Sequence, residues 1–162
     1  MKLSALYQIF LDCQSVTTDS RNCPDGSLFI ALKGESFNGN AFAKLALDSG
    51  CAFAIIDEAE YAVEGDKRYI LVDNCLQTMQ QLANYHRRQL GTRVIGITGT
   101  NGKTTTKELI SSVLCQAHNV LYTLGNLNNH IGVPTTLLRL KPEHDLAVIE
   151  ICLLYTSPSP RD

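Results

Sequence analysis

Residues 93–106 have the sequence RVIGITGTNGKTTT, an apolar run followed by a loop with two glycines and a Gly-Lys-Thr triplet. The run at residues 93–98 is short and rich in β-branched side chains, which is typical of a strand buried on both faces of a sheet. The segment after the loop is predicted to be a helix that continues through Ser111 and Leu114. A strand, a glycine-rich loop and a helix in this order predict one unit of an α/β domain.

The loop at residues 98–106 has the composition of a phosphate-binding loop. Glycines let the backbone curl so that several N–H groups point at one anion, and the helix N-terminus adds partial positive charge. Lys103 is expected to reach the β- and γ-phosphates of ATP, and the Thr104 hydroxyl is expected to hold Mg²⁺. The general motif has glycine at the position of Ile97, so an ordinary glycine-rich turn is the alternative. The predicted cofactor-binding residues are Gly99, Thr100, Asn101, Gly102, Lys103, Thr104 and Thr105.

Further strands are predicted at residues 119–123 and 145–151, with a helix from Pro134 to about Leu140 between them. Strands that alternate with helices favour a parallel sheet with right-handed crossovers. Glu150 lies at the end of the last strand, so its carboxylate is expected to face the ligand crevice and to hold Mg²⁺. The alternative is a strand end without a function.

An asparagine-rich segment, GNLNNHIGVP at residues 125–134, follows the second of these strands. Its three amide side chains could bind a substrate. Asparagine also favours turns and helix caps, because it tolerates left-handed conformations. The residues alone leave both interpretations open.

Residues 1–91 are predicted to form a separate, small mixed α/β domain. Apolar residues at helical spacing indicate a helix near the start of the chain, and further helices are predicted at residues 41–49 and 74–90. Strands are predicted at residues 27–32, 52–56 and 69–72. Arg21 and Lys33 lie on either side of the first strand and could pair with a diphosphate, although many surface turns have the same composition.

Composition excludes several functional classes. The net charge is −2 and no dense Lys/Arg stripe occurs, so a nucleic-acid partner is not indicated. No apolar run reaches the length of a membrane span, and the first residues lack a secretory signal, so we expect a cytoplasmic protein with no membrane partner. The six cysteines form no C-x-x-C pair, which favours reduced, mostly buried thiols over a zinc site or disulfides.

The α/β pattern ends at Cys152, where the sequence CLLYTSPSPRD begins. Two Ser-Pro steps continue neither a helix nor a central strand. We therefore predict three parts: a substrate domain at residues 1–91, the start of an ATP-binding domain at residues 92–151, and a foreign tail at residues 152–162 that follows a truncated coding sequence.

Residues 98–106 resemble the phosphate-binding loop of the Mur ligases and the related folylpolyglutamate synthases, in which the earlier glycine is likewise absent. Three upstream segments, at residues 19–21, 26–34 and 37–39, resemble the substrate-binding N-terminal domain of these enzymes. The similarity extends from about Val16 to Ile151. It departs from the family at residues 38–40, where Asn-Gly-Asn stands in place of the Asp-Gly-His that the family often has, and at Cys152, where the family has glycine.

Within the family, residues 125–138 are most similar to the ligase that joins D-alanyl-D-alanine to UDP-N-acetylmuramoyl-tripeptide in peptidoglycan synthesis. The resemblance implies that the tripeptide carboxylate attacks the γ-phosphorus of Mg-ATP, giving ADP and an acyl phosphate. The amine of D-alanyl-D-alanine then displaces phosphate. The implied catalytic residues are Lys103, Glu150 and Asn126, and the implied substrate-binding residues are Ser20, Arg21, Lys33 and Asn129.

The resemblance also implies a monomer, and it implies that this fragment lacks activity without the family's later domains. Two related functions remain as alternatives, a sister Mur ligase that adds a single amino acid and a folylpolyglutamate synthase. A third alternative, from another functional class, is a non-catalytic module that binds a nucleotide sugar.

Overall fold

The computed structural model describes residues 2–152, so the predicted foreign tail lies outside the described residues except for Cys152. The chain divides into two compact units between Tyr85 and His86. This point lies inside a long helix, whereas the predicted domain boundary near residue 91 lies at the end of the same helix.

Among the described residues, the first unit contains a parallel sheet of four strands, two α-helices, most of a third helix and two short 3-10 turns. Its elements are α1 (Leu3–Asp12), β1 (Val16–Thr17), β2 (Leu28–Ile30), a turn at Gly39–Phe42, α2 (Ala43–Asp48), β3 (Phe53–Ile56), a turn at Ala59–Tyr61, β4 (Tyr69–Leu71) and α3 (Cys75–Leu90). The strand order is β1-β2-β3-β4. All three residues of β2 are buried, as expected for a strand inside a parallel sheet.

The predicted elements of this unit are confirmed. Leu6, Tyr7 and Phe10 form the buried face of α1, which is why its apolar residues recur at helical spacing. Helix α3 begins after Asn74, whose Oδ1 accepts a hydrogen bond from the Gln77 N–H at 2.8 Å. It ends before Gly91, which adopts a positive φ of 67°.

The described residues of the second unit form a parallel sheet of three strands in the order β5-β7-β6. Its elements are β5 (Arg93–Ile97), α4 (Lys103–Leu114), β6 (Val120–Tyr122), α5 (Gly132–Leu137) and β7 (Leu146–Glu150). Strand β7 is central and every one of its residues is buried. One side of the sheet packs against Ile110 and Leu114 of α4, and the other packs against Val133 and Leu137 of α5.

Three expectations from the sequence are wrong in detail. Strand β5 is not buried on both faces, because the side chain of Ile95 is 37% exposed; the strand also lies at the edge of the described sheet. Helix α5 ends at Leu137 instead of about Leu140. The six cysteines are free thiols, but only Cys51 and Cys75 are buried, and Cys115 is exposed at the end of α4. None of the described helices is both long and apolar enough to cross a membrane.

His86 supplies a pH-dependent contact inside the second unit. The ring is buried, and its Nε2 lies 2.9 Å from the carbonyl oxygen of Leu140. Burial lowers the pKa of His86 below its ordinary 6.5, and the Leu140 carbonyl opposes this shift only in part. Because the folded state holds fewer protons on His86 than the unfolded state does, its stabilising contribution is complete above about pH 6.5. That contribution is lost as the pH falls through the folded pKa.

We therefore expect the free energy of unfolding to decrease as the pH falls from about 6.5 to about 5. His86→Gln should show a smaller decrease over the same interval, because the variant has no imidazole to protonate. Urea titrations of both proteins at each pH would measure the difference. Equal slopes for the two proteins would show that His86 does not cause the dependence.

Candidate active site at the carboxyl ends of β5 and β7

The predicted phosphate-binding loop, residues 98–106, connects the end of β5 to the first turn of α4. Gly99 and Gly102 have φ angles of 143° and 77°, a region that glycine adopts without strain. Gly102 is the N-cap residue and provides no side chain to bond the first-turn amides. Those N–H groups are therefore open to an anionic ligand.

Lys103 is the first residue of α4 and lies over this loop. Its Nζ donates a hydrogen bond to the carbonyl oxygen of Gly99 at 2.7 Å. The ammonium is therefore held beside the open amides of the loop. This placement suits a lysine that neutralises phosphate oxygens.

Glu150 ends β7 directly beside the end of β5, since the two strands pair Ile97 with Glu150. Its side chain is only 1% exposed. The carboxylate Oε1 accepts a hydrogen bond from the Thr104 hydroxyl at 3.2 Å. The two residues that the sequence predicts as Mg²⁺ ligands are thus in direct contact.

The asparagine-rich segment serves as a turn and helix cap at Asn129 and contacts Glu150 through Asn128, while its binding of a substrate stays a prediction. Asn128, which the sequence did not single out from its neighbours, donates from Nδ2 to Glu150 Oε1 at 2.8 Å. Asn129 serves as a cap, because its Oδ1 accepts from the N–H groups of Ile131 and Gly132 at 3.1 and 2.8 Å. Asn126 is exposed, and its carbonyl accepts from the Asn128 N–H at 2.8 Å. The catalytic role of Asn126 and the substrate contact of Asn129 stay predictions.

Gly132 fixes the path of this segment at the start of α5. A Cβ atom there would lie 2.4 Å from the carbonyl carbon of Leu127, which is backbone and cannot rotate away. The absence of a side chain thus allows the segment to pack closely against itself. This close packing helps to place Asn128 beside Glu150.

Lys107 is a residue of the site that the sequence analysis missed. It is fully buried, and its Nζ donates to the Thr123 carbonyl at 2.8 Å and forms an ion pair with Glu108 Oε1 at 2.8 Å. The same ammonium lies 4.0 Å from Glu150 Oε2. One signal was present, since Thr104, Lys107 and Ser111 recur at helical spacing and share the face that turns toward the sheet.

The donor atoms around Glu150 fit Mg²⁺. Glu150 Oε2 is buried and has no hydrogen-bond partner among the described residues, and the Thr104 hydroxyl is a second hard oxygen. The described residues contain no group of three or more His, Cys, Asp and Glu side chains suited to a metal. Mg²⁺ needs no such cage, because it is commonly held by one or two protein oxygens with phosphates and water.

Arg21 lies on a surface turn of the first unit, bound to its own neighbour. Its Nε and Nη2 donate to the two carboxylate oxygens of Asp19, each at 2.9 Å. These bonds lower the pKa of Asp19 to about 2. Ser20 lies between the two residues, and its carbonyl accepts from the Cys23 thiol at 3.4 Å. Two of the guanidinium nitrogens of Arg21 are therefore already bonded to Asp19, which leaves fewer donors for an anionic substrate.

Lys33 is also engaged by carboxylates of the first unit. Its Nζ lies 3.1 Å from Asp57 and 3.2 Å from Glu58. Hydrogen bonds to Asp57 and then to Glu58 raise the pKa of Lys33. The positive charge that the sequence assigns to a diphosphate is therefore already balanced within the protein.

Asn40 stands where the family often has histidine, and its side chain links the turn at Gly39–Phe42 to Asp57. Its Nδ2 donates to Asp57 Oδ1 at 2.9 Å, and its Oδ1 accepts from the Asp57 N–H at 3.0 Å. Burial acts to raise the pKa of Asp57, but bonds from the Cys75 N–H, Asn40 and Lys33 outweigh it and lower the pKa. The departure from the family pattern is therefore a satisfied structural contact in this chain.

Two Mur ligase domain families match separate segments of the chain. The family described as "Mur ligase family, catalytic domain" matches residues 12–87, and "Mur ligase middle domain" matches residues 97–154. The chain belongs to the Mur ligase family. The predicted resemblance and the α/β fold class are confirmed.

Individual members of the Mur ligase family show the same relationship. The UDP-N-acetylmuramoyl-tripeptide–D-alanyl-D-alanine ligase of Bacillus subtilis is 45% identical over 136 residues, which cover 84% of this chain and 30% of that protein. The Escherichia coli ligase of the same name is 44% identical over 137 residues, with 85% and 30% covered. The chain thus spans about a third of the length of these relatives.

Solved structures of Mur ligase family members are similar to this chain. MurF from Acinetobacter baumannii has a TM-score of 0.81 at 34% identity. The aligned region covers 94% of this chain and 36% of the Acinetobacter baumannii chain. MurF from Thermotoga maritima, solved in complex with ADP, has a TM-score of 0.76 at 29% identity, with 88% and 33% covered.

Proposed function

We propose that the protein to which these residues belong is an ATP-dependent ligase that joins D-alanyl-D-alanine to UDP-N-acetylmuramoyl-tripeptide. The observation that carries the proposal is the buried Glu150 carboxylate, which bonds Thr104 of the phosphate-binding loop and Asn128 of the asparagine-rich segment. The predicted phosphate-binding loop and the asparagine-rich segment thereby contact the same carboxylate. The names of the Bacillus subtilis and Escherichia coli relatives support the same activity.

Each residue of the site would contribute a separate part of this chemistry. The loop amides and Lys103 would bind the phosphates of ATP and offset their charge. Thr104 and Glu150 would hold Mg²⁺, which supplies electrostatic stabilisation of the transferred phosphoryl group. Asn126 is proposed to contact the reacting groups. Ser20, Arg21, Lys33 and Asn129 are proposed to contact the substrates.

The tripeptide carboxylate gains the γ-phosphoryl group while ADP leaves, and the amine then forms the amide while phosphate leaves. Positioning and charge neutralisation supply most of the rate enhancement in such transfers.

We further propose that the enzyme acts as a monomer in the cytoplasm, with the two small-molecule substrates as its partners.

Nucleotide binding can be tested on the 162-residue chain itself. A fluorescent ADP analogue should bind with an affinity that increases when Mg²⁺ is added, and unlabelled ATP should displace it. A folded chain that fails to bind the analogue would contradict the nucleotide site.

Substrate choice can be tested in a chimaera that carries residues 2–152 in place of the matching segment of the Bacillus subtilis relative. Phosphate release should require both D-alanyl-D-alanine and UDP-N-acetylmuramoyl-tripeptide. Preference for a single amino acid would indicate a sister Mur ligase, and preference for folate would indicate a folylpolyglutamate synthase. Nucleotide-sugar binding without turnover would favour a non-catalytic module.

A further inference from the structure

Lys107 is a fully buried lysine that lies outside the phosphate-binding loop, one helical turn beyond Lys103. An ammonium group leaves water only where partners compensate it. Two such partners are present, the Thr123 carbonyl and Glu108 Oε1, each 2.8 Å from Nζ. Two carboxylates therefore surround this cation, since Glu150 Oε2 lies 4.0 Å away.

The two oxygens of Glu150 have different surroundings. Oε1 accepts hydrogen bonds from the Thr104 hydroxyl and from Asn128 Nδ2. Oε2 is buried and has no hydrogen-bond partner among the described residues. The Lys107 ammonium lies near this second oxygen, at 4.0 Å. Neutral donors and one positive charge thus hold the carboxylate from two directions.

We propose that Lys107 is the positioning residue that holds the Glu150 carboxylate in the orientation that captures Mg²⁺ beside Thr104. This inference rests on the proposed function, because it assumes that the loop binds a nucleotide with Mg²⁺. Groups that contact a metal-binding carboxylate orient it, and their loss typically weakens metal binding by about 10- to 100-fold.

The distances favour positioning over competition with the metal. At 4.0 Å from Oε2, the ammonium attracts the carboxylate without occupying its lone pairs by a hydrogen bond. Glu108 lies closer to the ammonium, at 2.8 Å, and offsets part of its charge. Lys107 therefore orients Glu150 while repelling a bound cation less than an unpaired ammonium would.

The test uses the 162-residue chain with the variants Lys107→Gln, Lys107→Arg and Lys141→Gln. Glutamine keeps a donor for the Thr123 carbonyl but removes the charge, and arginine keeps the charge. Lys141 is a matched control, because it is an exposed lysine of the same unit. Each protein is titrated with a fluorescent ADP analogue in EDTA and at increasing Mg²⁺, with circular dichroism to check folding.

Lys107→Gln should bind the analogue in EDTA within about twofold of the parent chain. It should need an Mg²⁺ concentration about 10- to 100-fold higher than the parent chain needs for the same increase in analogue affinity. Lys107→Arg should have an Mg²⁺ requirement close to that of the parent chain, and Lys141→Gln should match the parent. An unchanged Mg²⁺ requirement in Lys107→Gln would overturn the proposal. Equal losses with and without Mg²⁺ in a folded variant would also overturn it, since they would indicate a purely structural role.

A second measurement does not depend on the nucleotide. Mn²⁺ added without ADP should broaden the Thr104 amide resonance in the NMR spectrum of the parent chain, and Lys107→Gln should need a higher Mn²⁺ concentration for the same effect. If the parent chain does not bind ADP, the proposed function fails, while this measurement still decides the role of Lys107. Equal broadening in both proteins, or none in the parent, would overturn the positioning role.

Discussion

Replacing Lys103 with alanine is expected to reduce ligation by the chimaera about 100- to 1,000-fold, with little change in folding. The side chain is partly exposed, and its one described hydrogen bond goes to the Gly99 carbonyl of its own loop, so its loss removes little packing. What the variant loses is a positive charge at the site of phosphate binding. In a site that excludes water, such a charge stabilises the transferred phosphoryl group strongly.

Phosphate release and circular dichroism should be measured together for Lys103→Ala and for Lys141→Ala. Lys141 is exposed and lies outside the phosphate-binding loop, so its variant should keep near-normal turnover. Turnover of Lys103→Ala close to that of the control, with a native spectrum, would contradict the assignment of the loop. The analogue-binding assay on the 162-residue chain should show a parallel loss of ADP affinity.

The parts of the site that could be predicted from the sequence depend on short-range patterns. Strand β5, the glycines and Lys103 are contiguous, so their order along the chain fixes their order in space. Glu150 could be placed because the carboxyl ends of parallel strands meet at one edge of a sheet. The observed pairing of Ile97 with Glu150 confirms that placement.

The parts that could not be predicted depend on partners far away in the sequence. A lysine is ordinarily exposed, and nothing near Lys107 in the sequence shows that Thr123 and Glu150 will surround it. The three asparagines are chemically identical, and local composition does not show that Asn128 is the one that bonds Glu150. The partners of Lys33 are likewise distant in the sequence, because Asp57 and Glu58 follow the end of β3. Local composition around Lys33 does not reveal them.

The burial of β5 shows the same limit for the fold. Its apolar composition suits a strand with neighbours on both sides, but β7 is its one partner in the described sheet. Local composition reports what environment a strand tolerates, whereas exposure depends on which elements surround it. The hydrophobic run therefore predicted the existence of the strand correctly and its burial wrongly.

Glu150→Gln is expected to destabilise the 162-residue chain by about 3 kcal/mol, although glutamine has nearly the same shape. The variant leaves the buried Lys107 ammonium with Glu108 as its remaining carboxylate, and Glu108 is 57% exposed. Breaking a buried ion pair by removing one partner costs more than removing both, because the remaining charge stays out of water. Glu143→Gln is the matched control, since its exposed side chain should matter by less than about 0.5 kcal/mol.

The double variant Lys107→Gln/Glu150→Gln gives the sharper result. It contains neither buried charge, so we expect it to be less destabilised than the sum of the two single variants, with a coupling energy of about 1–3 kcal/mol. Urea unfolding of the parent, the two single variants and the double variant completes the cycle. Additive effects would show that the two side chains do not interact across their 4.0 Å separation. A coupling of the expected sign would instead establish that Lys107 acts on Glu150 before any metal or nucleotide is bound.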